Sequence, residues 1–305
     1  MKRDFITVAE CDRESLEGYL AAADALKKAY RAGRPEHCLA GQSVAMIFEK
    51  PSLRTRLSFE AGVTQLGGHA IYLTRSDIGL GQREASKDVA RVVSGMVQAI
   101  VARTFSHQAV EELARYASVP VINALTDFSH PCQAMADLMT IREVLGRLEG
   151  LTVAFIGDGN NVARSLAVAC GRFGMKFRLA APPGHELDAP FIGRLAGQCP
   201  GADFQQTTDP RAAVAGAQVL YTDTWVSMGQ EQEKDKRLAT FRPYQINRQL
   251  LSAAPADAIV MHCLPAYRDN EITDEVMESD RSVVFQQAEN RLHAQKAVLV
   301  TLLSG

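Results

Sequence analysis

Several classes of protein are disfavoured by what the sequence lacks. The 305 residues include six cysteines but no C-x-x-C pair, so neither a zinc site nor a disulfide framework is indicated. No internal repeat or low-complexity segment is evident either. We expect reduced cysteines, most of them packing residues: Cys11, Cys38, Cys132, Cys170, Cys199 and Cys263.

The sequence also lacks an excess of charge of one sign, and it lacks long apolar runs. The chain has 33 Lys and Arg against 35 Asp and Glu, a net charge of −2, whereas a nucleic-acid-binding protein usually carries a basic surplus. The uncharged run at residues 92–102 is too short to span a bilayer. The start, MKRDFITVAECD, lacks the apolar segment of a signal peptide. We therefore expect a cytoplasmic protein with no nucleic-acid or membrane partner, acting on small molecules.

What the chain does contain is alternating helical and strand patterns. Apolar residues make up 47% of it, as in ordinary globular proteins. Residues 13–31 have apolar positions at helical spacing, and Gly33 follows. Two series of short apolar runs then predict strands, and alternation with helices predicts parallel βαβ units. The predicted strands are 44–48, 70–73, 99–102, 120–124, 151–157, 177–181, 219–223, 258–263 and Val284–Phe285.

The length indicates two domains, because 305 residues exceed the usual size of one. The first strand series is followed by a segment rich in helix formers, Pro131 to Leu148, and the second series begins directly after it. We place the domain junction between residues 148 and 149. The predicted fold class is α/β, with two domains that each consist of a parallel sheet flanked by helices.

A phosphate site is suggested after the strand 44–48. There the chain reads Ser52-Leu53-Arg54-Thr55-Arg56 and continues as a helix, which Ser52 is expected to cap. A helix N-terminus already carries partial positive charge, so two arginines in its first turn are unfavourable unless an anion binds there. The alternative is a solvated turn with two surface arginines. The expected buried stripe of the helix is Phe59, Val63 and Leu66.

Further polar residues follow other strands of this series. Arg103 comes directly after the strand 99–102, and His130 and Gln133 follow the strand 120–124 through a short loop. Ligands collect at the carboxyl ends of parallel strands. A guanidinium binds phosphate oxygens, and His and Gln side chains can donate to a carbonyl oxygen, which together suits an acyl phosphate. A histidine before a proline is also compatible with a simple hydrogen-bonding role in a loop.

The second strand series opens with LTVAFIGDGNN, which at first resembles a nicotinamide-binding turn. The third glycine position of that fingerprint falls on Val162, and the next strand lacks the acidic residue that would hold a ribose. A dinucleotide is therefore not expected. Asn160 and Asn161, at the start of the following helix, suit the carboxylate or amine of an amino acid. Helix capping accounts for one of the two.

Asp223 ends another predicted strand and precedes the loop TWVSMGQE. Its carboxylate could hold an ammonium group. The sequence is equally compatible with purely structural roles, in which Asp223 is a turn residue, Trp225 a packing residue and Met228 a core residue. His262 and Cys263 are neighbours on a strand and should face opposite sides. A thiolate–imidazole pair is therefore disfavoured.

Taken in order, SLRTR, ARTF, HPCQ, GDGNN, DTWVSMGQE, HCLP and AENR resemble the ornithine carbamoyltransferases, over nearly the full chain. The resemblance implies transfer of the carbamoyl group of carbamoyl phosphate to the δ-amine of L-ornithine through a tetrahedral intermediate, giving L-citrulline and phosphate without a metal or cofactor. It implies a carbamoyl-phosphate domain (1–148, completed by a C-terminal helix at about 286–305), an ornithine domain (149–285) and an active site in the cleft between them. It also implies a homotrimer or a multiple of trimers.

The resemblance also implies roles for individual residues. Those for carbamoyl phosphate are Ser52, Leu53, Arg54, Thr55, Arg103, His130, Gln133, Cys263, Leu264 and Arg291, among which Arg103, His130, Cys263 and Arg291 are the catalytic candidates. Those for ornithine are Asn161, Asp223, Ser227 and Met228. Arg56 is expected to support its loop.

The sequence departs from the family pattern at two positions. Leu53 replaces the commoner Thr, and Leu also occurs there in acetylornithine and succinylornithine relatives. Gly79 occupies a position where relatives often supply a His or Gln side chain to the neighbouring subunit; Gln82 or Arg83 could substitute. Competing functions are carbamoyl transfer to aspartate, putrescine or an N-acylornithine, against which the DTWVSMGQE string argues, and a non-catalytic binding protein on the same scaffold. Retention of SLRTR, HPCQ and HCLP argues against the latter.

Overall fold

The computed structural model describes residues 2–80, 83–226 and 231–303. It is an α/β protein whose chain divides into two compact units. The first unit comprises Met1–Met139 and Glu289–Gly305, and the second comprises Thr140–Ala288. Within the described residues, no helix is both long and apolar enough to cross a membrane.

The first unit contains a four-stranded parallel sheet in the order β2-β1-β3-β4. Its strands are β1 (Ser43–Phe48), β2 (His69–Thr74), β3 (Ala99–Arg103) and β4 (Val121–Leu125). The helices that begin in this part of the chain are α1 (Arg13–Arg31), α2 (Leu53–Gln65), α3 (Arg75–Ile78), α4 (Ser86–Ser94), α5 (His107–Tyr116) and α6 (Pro131–Leu145). The predicted opening helix and the four predicted strands of this half are confirmed.

The sheet of the first unit is covered on both faces, as parallel sheets require. All five residues of β1 from Val44 to Phe48 are buried, and so is every residue of β3. The core on one side combines Ile47 and Ile100 with Val110 and Leu113 of α5. Burial of these apolar side chains fixes where the strands end, and thereby fixes the loops that follow them.

The second unit contains a five-stranded parallel sheet in the order β7-β6-β5-β8-β9. Its strands are β5 (Thr152–Ile156), β6 (Lys176–Ala180), β7 (Phe204–Thr207), β8 (Val219–Thr222) and β9 (Ile259–His262). Its helices are α7 (Asn161–Arg172), α8 (Ala189–Gln198), α9 (Pro210–Val214), α10 (Lys234–Phe241), α11 (Arg248–Leu251) and α12 (Asp274–Met277). The four predicted strands of this half are confirmed, and β7 was not predicted.

The last predicted strand, Val284–Phe285, is wrong. Both residues begin a helix, α13 (Val284–Leu303). The extended backbone ends one residue earlier, since Ser282 forms a bridge with Val260 and the Val283 N–H donates to the Val260 carbonyl oxygen at 3.0 Å. A β-branched residue followed by an aromatic one favours a strand, but a weak local preference yields to the packing of a 20-residue helix.

In both sheets the strand order reverses once. In the first unit the chain moves from β1 outward to β2 and then returns to place β3 on the other side of β1. In the second unit the chain moves from β5 outward through β6 to β7 and then returns to place β8 on the other side of β5. The carboxyl ends of two such strands flank a crevice in which open parallel sheets bind ligands. The residues that follow β1, β3, β5 and β8 are therefore the first places to look for a site.

Candidate functional site

The N-terminus of α2 lies at the reversal point of the first sheet. Ser52 is its cap, as predicted, and the Ser52 Oγ accepts a hydrogen bond from the Thr55 N–H at 3.3 Å. Phe59 and Val63 are fully buried and hold the helix against the sheet. Leu53, by contrast, is 73% exposed. The free N–H groups and positive end of this helix thus lie beside the ends of β1 and β3.

Two buried arginines converge on one hydroxyl group at this edge. Arg103, the last residue of β3, donates from Nη1 to the Thr55 Oγ1 at 3.4 Å, and Arg291 of α13 donates from Nη2 to the same oxygen at 3.2 Å. The two arginines are only 6% and 3% exposed. Burial, together with the positive charges of Arg291 and Arg54, lowers the pKa of Arg103 to about 10. This concentration of positive charge favours a bound anion.

Arg103 retains unused hydrogen-bonding capacity. Its Nε is buried and has no hydrogen-bond partner among residues 2–80, 83–226 and 231–303. A buried donor left unpaired costs free energy unless a ligand or water satisfies it. Arg103 is therefore the residue in this cluster with the most evident need for a ligand.

Gln133 and His130 extend the cluster from the start of α6. Arg291 donates from Nη1 to the Gln133 Oε1 at 2.7 Å, and the Gln133 Nε2 donates to the Asp137 Oδ1 at 2.8 Å. His130 is buried, and burial with the charges of Arg291 and Arg103 holds its pKa well below the ordinary value. Its ring is therefore neutral at pH 7, so it can donate a hydrogen bond without adding charge.

The surface-arginine interpretation applies to Arg56 but not to Arg54. Arg56 is exposed; its guanidinium lies 3.7 Å from the ring centroid of Tyr72 and its Nε donates to the Glu60 Oε1 at 2.9 Å. Arg54 is half-buried, and its charge contributes to lowering the pKa of Arg103. The two arginines of the string therefore differ in their contacts.

At the reversal point of the second sheet, Asn160 links two features. Its Oδ1 caps α7 by accepting from the N–H groups of Val162 and Ala163 at 3.0 and 3.1 Å. Its Nδ2 donates to the Asp223 Oδ2 at 2.7 Å. The predicted capping role for one of the two asparagines is confirmed. The contact of the same side chain with Asp223 was not predicted from the sequence. Asn161, which follows it, is half-buried at the helix start.

Asp223 follows β8 and accepts from three donors. One is the Asn160 Nδ2 described above. The other two are the Cys263 Sγ–H at 3.0 Å and the Thr224 N–H at 2.7 Å, which both donate to Oδ1. Trp225 is 3% exposed and packs against Phe241, with ring centroids 6.0 Å apart, so its packing role is confirmed. Of the other predicted site residues, Ser227, Met228 and Gln82 lie outside the described residues.

Contrary to expectation, His262 and Cys263 do not both lie on the strand, because β9 ends at His262. Their side chains nevertheless have different hydrogen-bond partners. The His262 Nε2 lies 3.1 Å from the Glu271 Oε1, and its Nδ1 accepts from the Leu264 N–H at 2.8 Å. Ligand atoms of Asp223, His262 and Cys263 lie within 4.8 Å of one another. Because both ring nitrogens of His262 are already hydrogen-bonded, we assign no metal-binding role to these three residues.

Gly79 has a backbone conformation that explains its identity. It ends α3 with φ +62°, in the left-handed region that favours glycine. A Cβ atom at this position would lie 2.8 Å from the Arg83 Cβ. A longer side chain is therefore poorly accommodated at position 79 with this loop conformation.

Known proteins match the whole chain. The family model described as the carbamoyl-P binding domain of aspartate/ornithine carbamoyltransferase matches residues 3–143, and the model described as the Asp/Orn binding domain matches residues 149–302. The chain is 50% identical to an ornithine carbamoyltransferase from Thermococcus kodakarensis, covering 99% of this chain and 97% of that protein, and 51% identical to one from Methanospirillum hungatei, covering 100% of both.

A solved structure agrees with these matches. The ornithine carbamoyltransferase from Pyrococcus furiosus superposes with a TM-score of 0.97 at 48% identity, covering 100% of this chain and 98% of that one. Identity of this extent over both domains shows common descent as well as a common fold. The chain belongs to the aspartate/ornithine carbamoyltransferase family.

Proposed function

We propose that this protein transfers the carbamoyl group of carbamoyl phosphate to the δ-amine of L-ornithine, giving L-citrulline and phosphate. The observation that carries the proposal is the convergence of Arg103 and Arg291 on the Thr55 hydroxyl beside the α2 N-terminus. Buried guanidiniums in this arrangement suit a dianionic acyl phosphate. The relatives named above, all ornithine carbamoyltransferases, support the acceptor.

In this proposal, residues 1–148 with the C-terminal helix from about 286 to 305 bind carbamoyl phosphate, and residues 149–285 bind ornithine. The phosphate is held by the α2 N-terminus, that is by Ser52, Leu53, Arg54 and Thr55, together with Arg103. The backbone N–H groups of the first helical turn supply uncharged donors, and the guanidiniums supply charge. Expulsion of phosphate is assisted because the same groups stabilise the negative charge that leaves with it.

The carbamoyl group is assigned to His130, Gln133 and Arg291. Attack by the amine places negative charge on the carbamoyl oxygen, and Arg291 with the neutral His130 ring can donate to that oxygen. Gln133 fixes one side of the Arg291 guanidinium through the 2.7 Å bond to its Nη1. Cys263 and Leu264 are assigned to the same substrate.

The ornithine half rests on Asn161, Asp223, Ser227 and Met228. The δ-ammonium of ornithine resembles the Lys side chain, whose pKa is near 10.4, so a proton must leave before the amine can attack. Asp223 accepts hydrogen bonds from such an ammonium, and the Cys263 thiol lies 3.0 Å from the Asp223 Oδ1. These two groups are our candidates for accepting that proton.

We also propose a cytoplasmic homotrimer, or a multiple of trimers, in which the loop 76–86 completes the neighbouring subunit's carbamoyl-phosphate site. Gly79 has no side chain to contribute, so Gln82 or Arg83 takes that part. Size-exclusion chromatography with light scattering tests the assembly. A monomer that retains full activity would rule out the shared site.

Carbamoyl transfer to an N-acylornithine or to putrescine, and a non-catalytic binding protein, remain the alternatives. An N-acyl acceptor lacks the free α-ammonium, and putrescine keeps both amines but lacks the α-carboxylate. A binding protein would be free to lose the buried arginines and the HCLP residues. The string DTWVSMGQE, typical of ornithine enzymes, favours ornithine as the acceptor.

The proposal is tested by citrulline formation in the Arg54→Ala variant, compared with the wild type and with Arg211→Ala, an exposed arginine of α9. Loss of one anion contact should lower kcat/KM by on the order of 10²- to 10³-fold without unfolding the chain. Arg211→Ala should behave as the wild type. Near-normal turnover of Arg54→Ala would contradict the assignment of the phosphate site.

A further inference from the structure

We infer that Gln295 is a positioning residue, which fixes the guanidinium plane of Arg291, and that Ser58 acts on catalysis only through Gln295. The inference rests on the proposed function, because Arg291 is there assigned to the carbamoyl oxygen. It adds two residues with no expected substrate contact to the chemistry of the first unit.

Gln295 lies one helical turn after Arg291 on α13, so both side chains project from the same face. It is fully buried. Its side-chain oxygen accepts from the Arg291 Nε at 3.2 Å and from the Arg291 Nη2 at 2.9 Å, and its amide nitrogen donates to the Ser58 Oγ at 2.5 Å. This is the only consistent amide orientation, because a guanidinium has donors but no acceptor.

Ser58 determines which way the Gln295 amide faces. The Ser58 hydroxyl donates its single hydrogen to backbone carbonyl oxygens within the first turns of α2, that of Arg54 at 2.6 Å and that of Thr55 at 3.2 Å. Having one hydrogen, it can only accept from Gln295. The Gln295 oxygen is thereby directed toward Arg291. The chain of contacts joins the carbonyl of Arg54, in the anion-binding turn, to the guanidinium of Arg291.

Arg291 is consequently held by acceptors on three elements. Its Nη1 donates to Gln133 of α6, its Nη2 to Thr55 of α2, and its Nε edge to Gln295 of its own helix. Gln133 and Thr55 both bind the Nη groups, which face the anion-binding edge. Gln295 holds the Nε edge, so it restrains rotation of the guanidinium plane about the side chain. A small rotation would misplace the donors that meet the developing oxyanion.

The first test is Gln295→Met, which keeps the approximate volume of the side chain and removes the acceptor. Because the contact acts on the orientation of a group that stabilises the transition state, kcat should fall by about 10-fold while KM for carbamoyl phosphate changes by less than about 2-fold. The dissociation constant for inorganic phosphate, measured by calorimetry, should stay within about 2-fold, since Arg54, Arg103 and the helix N-terminus are intact.

The second test separates positioning from a general structural role. Ser58→Ala should lower kcat, Ser58→Thr should restore most of it because the hydroxyl is retained, and Ser58→Ala should have no further effect on kcat in the Gln295→Met background. Multiplicative effects of the two changes would overturn the inference, and so would wild-type kcat in Gln295→Met. A wild-type protein that forms no citrulline would instead overturn the proposed function together with this inference.

Discussion

Replacement of Arg103 by methionine should stabilise the ligand-free protein while greatly lowering its activity. Arg103 is 6% exposed, and its Nε has no hydrogen-bond partner within the described residues. Its surroundings are unfavourable for a cation, since burial and the charges of Arg291 and Arg54 lower its pKa. Such a residue is expected where function has been favoured over stability.

The magnitude follows from the pKa. A fall from 12.5 to about 10 corresponds to roughly 3 kcal/mol against the charged side chain in the folded state at pH 7, at about 1.4 kcal/mol for each tenfold change. Methionine removes this cost and also the 3.4 Å bond to Thr55, which contributes about 0.5–1 kcal/mol. The net expectation is a gain of about 2 kcal/mol, or roughly 4–8 °C in Tm.

The assay compares thermal unfolding of the wild type and Arg103→Met with and without inorganic phosphate. Phosphate should raise the Tm of the wild type and leave that of the variant nearly unchanged, because ligand stabilises only the state that binds it. Citrulline formation by the variant should fall by on the order of 10²-fold or more. Arg211→Met, at an exposed position, is the control. A variant that is less stable than the wild type, or that still responds fully to phosphate, would refute the reasoning.

Two other changes have defined outcomes. Asn160→Ala and Asn160→Ser both remove the donor to Asp223 and should lower kcat/KM for ornithine by about 10-fold or more; only the Ala variant should also lose about 1 kcal/mol of stability, because Ser still caps α7. Unchanged ornithine kinetics in both would exclude a positioning role for Asn160. Burial and two neighbouring lysines lower the pKa of His293 to about 4, so between pH 6.5 and about 4 the unfolded state binds the extra proton and stability falls with falling pH. His293→Gln should therefore lose about 2 kcal/mol less than the wild type between pH 7 and pH 5 in urea titrations, and equal losses would contradict the burial argument.

Local features of the sequence were sufficient to predict much of the fold. Eight strands and the opening helix follow from apolar periodicity, and Ser52 follows from the preference for hydroxyl side chains at helix caps. The failures have local causes as well. The edge strand β7 has the sequence FQQT, with one large apolar residue, so no period can be recognised. Val284 and Phe285 have strand-like composition but begin a long helix whose packing decides their conformation.

Arg54 could be singled out from the sequence because a positive charge in the first turn of a helix is unfavourable without an anion; its role in binding phosphate stays a prediction. Contacts between distant side chains were not predictable. Asn160 reaches Asp223 across 63 positions, and Arg291 reaches Thr55 across 236. Such pairs depend on strand order and helix packing, which a single sequence does not specify. The link from Ser58 through Gln295 to Arg291 belongs to the same class, since neither polar residue forms part of a recognisable motif.

The most direct measurement is citrulline formation from carbamoyl phosphate and L-ornithine by the purified protein, in parallel with product formation from aspartate, putrescine, N-acetylornithine and N-succinylornithine. The account predicts a strong preference for ornithine, with phosphate released in equal amount. Preference for another acceptor would contradict the assignment of Asp223 and its loop while leaving the phosphate half intact, and inactivity with every acceptor would contradict the proposed function as a whole.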